Sequence, residues 1–216
     1  MTEPIFVSTT RMFYDAIAAD YAEHFKGKIA HSPLDVAVLN AFAEMVGDTA
    51  GPVADLGCGP GRVTAHLRAL GLDVFGVDLS AEMLGVARRE NPGLRFVQGS
   101  MAELDAADGS LAGAVSWYSI IHTPAERLPG LFTEFHRVLA PGGHLLVAFQ
   151  VGEEPMHLAE PFGRQVSLDF NRLLPDQITD LLRQAGFGMV ARTRREPITE
   201  VETTPQAFLL ARKPEA

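Results

Sequence analysis

The sequence is poor in cysteine and has no long apolar run, and both shortages exclude whole classes of protein. Its single cysteine, Cys58, cannot form an internal disulfide, so a reducing, cytoplasmic setting is expected. No hydrophobic run approaches the ~20 residues that cross a bilayer, and the N-terminus shows no basic-then-apolar signal peptide. We therefore expect no membrane partner.

Positive charge is also scarce, because 18 Lys and Arg stand against 27 Asp and Glu, a formal net charge of −9. Nucleic-acid affinity depends on clustered positive charges that neutralise phosphates. The sequence therefore argues against a nucleic-acid partner and favours a small or neutral acceptor. No His-x-x-x-His spacing or comparable pattern indicates a metal site, so no metal is expected.

The length and the hydrophobic content predict one domain. The 216 residues, 47% of them hydrophobic, suffice for a sizeable core. Apolar residues at i, i+4 spacing predict a helix over 10–26, and Ser32 is the predicted cap of a second helix. We expect 1–47 to form an N-terminal helical cap and 152–172 a lid insertion, both within a single domain over 1–216 that acts as a monomer or homodimer.

The first predicted strand, Val53 to Leu56, leads into a turn that contains Gly57, Gly59 and Gly61, and a predicted helix follows. Glycines permit a tight turn and let a ligand approach the backbone closely. The helix N-terminus presents unpaired N–H groups to whatever the turn holds. This pattern predicts a nucleotide-type site at the carboxyl end of the first strand of an α/β sheet.

Two carboxylates indicate which nucleotide is bound. The spacing Gly57-x-Gly59-x-Gly61 is one residue shorter than the G-x-G-x-x-G fingerprint of dinucleotide sites. Asp55, near the end of the strand, would repel a pyrophosphate and suits a ligand with a positive group, such as the ammonium and sulfonium of S-adenosylmethionine. Asp78 ends the next predicted strand and is placed to accept hydrogen bonds from both ribose hydroxyls.

Two runs, Asp-Leu-Gly-Cys-Gly-Pro-Gly from residue 55 and Gly-Val-Asp-Leu-Ser-Ala-Glu-Met-Leu from residue 76, resemble motifs of class I S-adenosylmethionine-dependent methyltransferases. The Tyr14-Asp15…Ala18-x-x-Tyr21 pattern and the helix–Leu-x-Pro-Gly-Gly–strand passage are similar to the same family, so the resemblance covers roughly 14–149. It implies an α/β fold with a Rossmann-like, doubly wound, seven-stranded sheet. That sheet would be mostly parallel, with one antiparallel strand and helices on both faces.

The same resemblance implies S-adenosylmethionine as the cofactor. Where the family usually shows Gly-Asp-Ala, with an acid near the adenine amine, this sequence has Ser100 in the acid's position. Tyr14 and Tyr21 are expected either to close over the cofactor or to pack in the core, and Cys58 is a small spacer between glycines. The predicted cofactor residues are Tyr14, Tyr21, Asp55, Gly57, Cys58, Gly59, Gly61, Asp78, Leu79, Met83, Ser100, Met101, Ala102 and Trp117.

The fourth predicted strand, 111–118, ends at the sheet edge where the reacting sulfonium is expected. His122 follows this strand and is either a proton acceptor, the predicted catalytic role, or a hydrogen-bonded wall residue, since histidine titrates near neutrality. Tyr118, His122 and His157 are the predicted acceptor-binding residues. Methyl transfer needs mainly in-line positioning, so the lack of a catalytic triad is not a counterargument.

These features predict methyl transfer to an amine or hydroxyl of a small-molecule metabolite or natural product. Related enzymes hold an exocyclic amine with an Asn/Asp-Pro-Pro-Tyr run, and Ser-Trp-Tyr-Ser over 116–119 replaces it here, which disfavours nucleobase amines. Methylation of a peptide or protein amine, a nicotinamide oxidoreductase and a non-catalytic cofactor-binding protein remain open alternatives.

Overall fold

The computed structural model describes residues 3–27, 32–47, 49–198 and 202–215. Residues 1, 2 and 28–31 of the predicted N-terminal cap lie outside the described part. Two helices precede the first strand, and strands and helices then alternate. These elements are α1 (Ile5–His24), α2 (Pro33–Val46), β1 (Val53–Leu56), α3 (Arg62–Ala69), β2 (Val74–Asp78), α4 (Ala81–Glu90) and β3 (Arg95–Gln98).

The second half of the chain adds two helices and six strands in its described residues. They are β4 (Leu111–Trp117), α5 (Leu128–Val138), β5 (Leu139–Gln150), β6 (Met156–Ala159), β7 (Ser167–Phe170), α6 (Pro175–Gln184), β8 (Gly188–Arg195) and β9 (Gln206–Arg212). Strands β6 and β7 form a separate antiparallel hairpin within the segment 152–172. Across the described ranges, no helix combines the length and the apolar character needed to cross a membrane.

Seven strands form one sheet in the order β3-β2-β1-β4-β5-β9-β8. The pairs from β3 to β5 are parallel, whereas β9 runs antiparallel to both β5 and β8. Within the described residues β9 is therefore the single antiparallel strand of this sheet, and the predicted fold class is confirmed. The strand order reverses between β1 and β4, so the carboxyl ends of these two strands flank a crevice.

Helices cover both faces of the sheet, which explains why β1 and β4 are almost entirely apolar. Every residue of β1 is buried. On one face α5 and α6 pack against a core that includes Phe132, Phe135, Phe149 and Leu182. On the other face α2 and α3 pack through Leu39, Phe42, Leu67 and Phe208. Full burial of such side chains contributes about 1.5–3 kcal/mol each to the stability of the fold. The packed sheet therefore holds the carboxyl ends of its strands in fixed positions.

Helix α1 is attached to α4 and to the β6–β7 hairpin. Asp15 Oδ1 accepts hydrogen bonds from the Ser80 hydroxyl at 2.6 Å and from the Glu82 N–H at 3.3 Å. Asp20 pairs with Arg164, which lies between β6 and β7, at 2.9 Å. Small residues of α1 also pack on apolar side chains of α4. These contacts hold α1 beside the starting residues of α4.

Two boundaries and one capping contact differ from the sequence-based expectation. Helix α1 begins at Ile5 rather than at residue 10, so it extends further across the site. The Ser32 side chain does not accept a hydrogen bond from α2, so its predicted capping contact is wrong. Strand β5 begins at Leu139 because its pairing with β4 starts at Leu111 and continues past the Pro-Gly-Gly segment.

Candidate active site

An open cavity lies where β1, β2 and β4 end, with about 830 Å³ of space that includes the solvent at its mouth. Thirteen of the predicted site residues line it, and they share a position at strand ends or on α1 and α4. They are Tyr14, Tyr21, Gly57, Gly59, Asp78, Leu79, Met83, Ser100, Met101, Ala102, Trp117, Tyr118 and His122.

The glycines of the turn have different roles. Gly57 has a φ of +74°, and a Cβ there would lie 2.3 Å from Ser119 Cβ, so the turn packs directly on the end of β4. A Cβ at Gly61 would lie 2.8 Å from the Phe96 ring, so Gly61 packs on the sheet and does not line the cavity. Gly59 has a φ of +53°, and no atom lies within 4 Å of its Cβ position. The backbone of Gly59 therefore lines the cavity with open space in front of it.

Asp55 is a correction to the predicted cofactor contact. It is only 1% exposed and does not line the cavity, because its side chain turns inward and Oδ2 accepts the Thr64 hydroxyl at 2.6 Å. Oδ1 is buried and has no hydrogen-bond partner among the described residues. Burial raises the pKa of Asp55 to about 7, and the hydrogen bond from Thr64 opposes this rise only in part.

Cys58 is the second correction, because it also lies away from the cavity. Its side chain packs with Leu84 and Phe96 in a small core between α4 and β3. Burial raises the thiol pKa well above its usual value, and the neighbouring Asp55 adds to the rise. Cys58 is therefore a neutral packing residue beneath the turn.

Thr64→Val is expected to destabilise the fold by about 1–3 kcal/mol, because it removes the hydroxyl that bonds the buried Asp55 carboxyl group. For a chain of this length that is a loss of roughly 2–12 °C in melting temperature, measured without ligand. Thr133→Val is the matched control, because that exposed hydroxyl bonds only a carbonyl of its own helix. A Thr64→Val protein as stable as the control would show that the contact contributes nothing.

Asp78 joins the glycine turn to the start of α4 and also faces the cavity. Its Oδ2 accepts the Gly59 N–H at 2.7 Å, and its Oδ1 accepts the Ser80 N–H at 2.9 Å. Burial raises the pKa of Asp78, and these two backbone hydrogen bonds oppose the rise. Each carboxylate oxygen keeps a further lone pair, so two hydroxyls of a ligand can still be bound.

The reactive end of the cavity contains a hydrogen-bonded pair. Tyr14 Oη lies 2.8 Å from His122 Nε2, whereas His122 Nδ1 is buried without a partner among the described residues. Burial lowers the pKa of His122 to about 4, so the imidazole is neutral at pH 7. Trp117 lines the same end and also packs on Phe208, with the ring centroids 5.3 Å apart. Trp117 therefore contributes both to the cavity wall and to the core.

His157 does not reach this site. Its side chain is 60% exposed, and Nδ1 lies 2.7 Å from Asp169 Oδ1 across the β6–β7 hairpin. The predicted contact of His157 with the acceptor is therefore a further correction. The hairpin directs this ring to solvent and to its hydrogen bond with Asp169. Tyr118, by contrast, lines the cavity with a φ of +58°, a conformation that few side chains adopt.

Sequence reasoning missed four cavity residues on the first turns of α1, namely Phe6, Val7, Thr10 and Arg11. The signal was the repeat of Phe6, Thr10 and Tyr14 at i, i+4 spacing, which places the three residues on one face of a helix that begins before residue 10. Ser80, Ser119 and Thr123 were also missed. Each follows a predicted strand or turn, but nothing in the sequence distinguishes these from other polar loop residues.

Residues 53–143 match the family model described as a methyltransferase domain. This match and the sheet order support the resemblance of the chain to class I S-adenosylmethionine-dependent methyltransferases. It is 30% identical over 129 residues to a malonyl-[acyl-carrier protein] O-methyltransferase of Pectobacterium atrosepticum. That match covers 59% of this chain and 50% of the relative, so the chain spans about half the relative's length.

Two solved structures share the methyltransferase fold over almost the whole chain. One is magnesium protoporphyrin IX methyltransferase from Synechocystis with bound S-adenosylmethionine, with a TM-score of 0.73, 16% identity and 99% coverage of both chains. The other is a Burkholderia thailandensis 1,6-didemethyltoxoflavin-N1-methyltransferase with bound 1,6-didemethyltoxoflavin and S-adenosylhomocysteine, with a TM-score of 0.67, 21% identity and coverage of 100% and 94%. Both structures support the predicted fold, and each of these two proteins holds S-adenosylmethionine or S-adenosylhomocysteine.

Two residues of the cavity fit that cofactor. Gly59 leaves open space where any other residue would place a Cβ, and Asp78 keeps lone pairs for two ribose hydroxyls. Asp55 Oδ1 is buried outside the cavity and does not add to this fit. No group of three or more potential metal ligands occurs in the part of the chain that the structure describes.

Proposed function

We propose that this protein transfers the methyl group of S-adenosylmethionine to an amine or hydroxyl of a small-molecule metabolite or natural product. The Tyr14–His122 pair at the reactive end carries the proposal, because it places a neutral imidazole, oriented by a hydrogen bond, in the cavity wall. The bound 1,6-didemethyltoxoflavin of one structural relative supports an acceptor of small size.

The cofactor, when bound, supplies an activated methyl group on its sulfonium. Asp78 and the glycine turn hold and orient the nucleoside and amino-acid parts. His122 is the group that receives the acceptor's proton, and the hydrogen bond between its Nε2 and Tyr14 Oη orients the ring. The main contribution of the chain is alignment, which is worth up to roughly 7–11 kcal/mol when two reacting groups are held in line.

The walls of the cavity keep water away from the reacting groups. Trp117 and Tyr118 close one side at the end of β4, and the first turns of α1 close the other. Phe170 of the β6–β7 hairpin stacks edge-on against His122, with the ring centroids 4.9 Å apart. We assign the hairpin the role of a lid and α1 that of a cap, so both belong to one catalytic domain.

The cofactor claim is tested by thermal unfolding with S-adenosylhomocysteine, and with NAD as the control. At a hundredfold excess over the dissociation constant, binding stabilises the fold by about 2.7 kcal/mol, which is roughly 5–11 °C for a chain of this length. A shift with NAD alone would contradict the proposal. An acceptor screen that detects S-adenosylhomocysteine release then tests transfer, and binding without release to any acceptor would indicate a non-catalytic protein.

Tyr14→Phe is expected to lower kcat by about tenfold with a small change in S-adenosylhomocysteine affinity. The substitution keeps the ring but removes the hydroxyl that orients His122, and such a hydrogen bond contributes about 0.5–1.5 kcal/mol. Steady-state kinetics on the acceptor found in the screen, with calorimetric titration of S-adenosylhomocysteine, separates the two effects. A large loss of cofactor affinity with unchanged kcat would instead make Tyr14 a cofactor ligand.

A further inference from the structure

Arg11 is a cation at the mouth of the cavity. Its side chain is 33% exposed and lines the cavity one turn before Tyr14 on α1. Among the described residues that line the cavity, it is the only one with a permanent positive charge. In a chain with a formal net charge of −9, this local charge is what would allow an anion to approach.

The Arg11 guanidinium already holds a carboxylate. Nη1 and Nη2 donate to Glu3 Oε1 and Oε2 at 2.7 and 2.8 Å, the two-bond geometry by which arginine binds carboxylates. The hydrogen bonds to Arg11 hold the pKa of Glu3 below its usual value, so the group is an anion at neutral pH. Because Glu3 precedes α1, this ion pair shows that the Arg11 guanidinium is oriented to bind a carboxylate that does not belong to the helix.

One neighbour fits the same ligand. Thr10 is 7% exposed and lines the cavity, and its Oγ1 has no hydrogen-bond partner among the described residues. A buried hydroxyl therefore accompanies Arg11. The Arg127 guanidinium lies outside the cavity, 5.6 Å from the ring centroid of the cavity residue Phe6.

Arg11 lies far along α1 from the glycine turn, the part of the cavity assigned to the cofactor. The helix rises about 1.5 Å per residue, so Arg11 lies roughly 15 Å along α1 from Tyr21, which faces the Arg62 guanidinium next to the glycine turn. Only about 4.5 Å of helix separates Arg11 from Tyr14 and its partner His122. The cation is thus close to the reactive end and far from the glycine turn.

The geometry points to an acceptor that carries a carboxylate, which Arg11 binds in place of Glu3 while the Thr10 hydroxyl completes the site. This inference rests on the proposed function and adds the chemical class of the acceptor. Glu3 then acts as an internal competitor that the acceptor displaces. The nucleophilic amine or hydroxyl lies on the same molecule, one helical turn away beside His122.

The test uses calorimetric titration of the protein saturated with S-adenosylhomocysteine. The probes are hydroxy- and amino-substituted benzoates and straight-chain amino acids of different lengths, each compared with its primary amide. The best acid is expected to bind wild type about tenfold more tightly than its amide, since hydrogen bonds to charged groups are roughly twice as strong as neutral ones. Glu3→Gln should tighten the acid about threefold and leave the amide unchanged, because its competing carboxylate is gone.

Arg11→Gln should abolish the preference for acid over amide without changing S-adenosylhomocysteine affinity. Arg192→Gln is the matched control, because it removes the same charge from an exposed ion pair with Asp176 outside the cavity. Equal binding of acids and amides, or no acid binding to the saturated Glu3→Gln protein, would overturn the inference. So would a loss of S-adenosylhomocysteine affinity in Arg11→Gln, since Arg11 would then hold the cofactor. Failure of wild type to bind S-adenosylhomocysteine is a separate result, which refutes the proposed function itself.

Discussion

Asp78→Ala is expected to weaken S-adenosylhomocysteine binding by about a hundredfold or more. The substitution removes the proposed ribose acceptor and also releases the N–H groups of Gly59 and Ser80, which the carboxylate holds in place. Hydrogen bonds to a charged group contribute about 1.5–3 kcal/mol each, and the loss of two corresponds to roughly 10² to 10⁴ in affinity. Isothermal titration calorimetry measures this loss directly.

The control for this experiment is Asp73→Ala, which removes the same charge from an exposed residue immediately before the start of β2. Its affinity should match wild type, so the loss in Asp78→Ala cannot be a general effect of charge. Thermal unfolding without ligand verifies that both variants fold. Wild-type affinity in a folded Asp78→Ala protein would refute the ribose assignment.

His122→Gln is expected to lower kcat by about 10² to 10⁴, the usual contribution of a positioned base, with little change in cofactor affinity. Glutamine retains a hydrogen-bonding group for Tyr14 but has no basic nitrogen. His157→Gln is the matched control and should behave as wild type, because that histidine lies outside the cavity on the hairpin. Equal kcat in the two variants would leave His122 as a wall residue.

The pH profile gives a second test of the same role. Because burial lowers the pKa of His122 to about 4, the imidazole is neutral and able to accept a proton at any pH above that value. The kcat at saturating substrates should therefore stay level from about pH 5 to pH 8 and fall as the pH drops through about 4, when the ring becomes protonated. A fall in kcat centred near pH 6.5, the ordinary histidine value, would show that the base is another group or that His122 is solvated.

The parts of the site that depend on short stretches of chain could be predicted from the sequence. Gly59 lies in the turn after β1 and Asp78 ends β2, and parallel strands of an α/β sheet bring their carboxyl ends together. The position of both in one cavity follows from that rule, and a hydrogen bond of 2.7 Å joins them. The single antiparallel strand that the family resemblance implied is β9.

The remaining features depend on contacts that no local pattern contains. Tyr14 and His122 are 108 residues apart, and their pairing is fixed by how α1 packs. The inward turn of Asp55 depends on Thr64, which the sequence presents only as one more helix residue. The solvent-facing direction of His157 depends on the pairing of β6 with β7, and a one-residue change of register would have reversed it.

Helix α1 has a consequence for ligand exchange, because this one helix lines both the cofactor half and the acceptor half of the proposed site. Tyr21 faces the cofactor half and Arg11 the acceptor half, while Asp15 fastens the helix to α4 between them. A movement of α1 that broke the fastening at Asp15 would therefore change both halves together. Ligand exchange in one half would then be coupled to ligand exchange in the other.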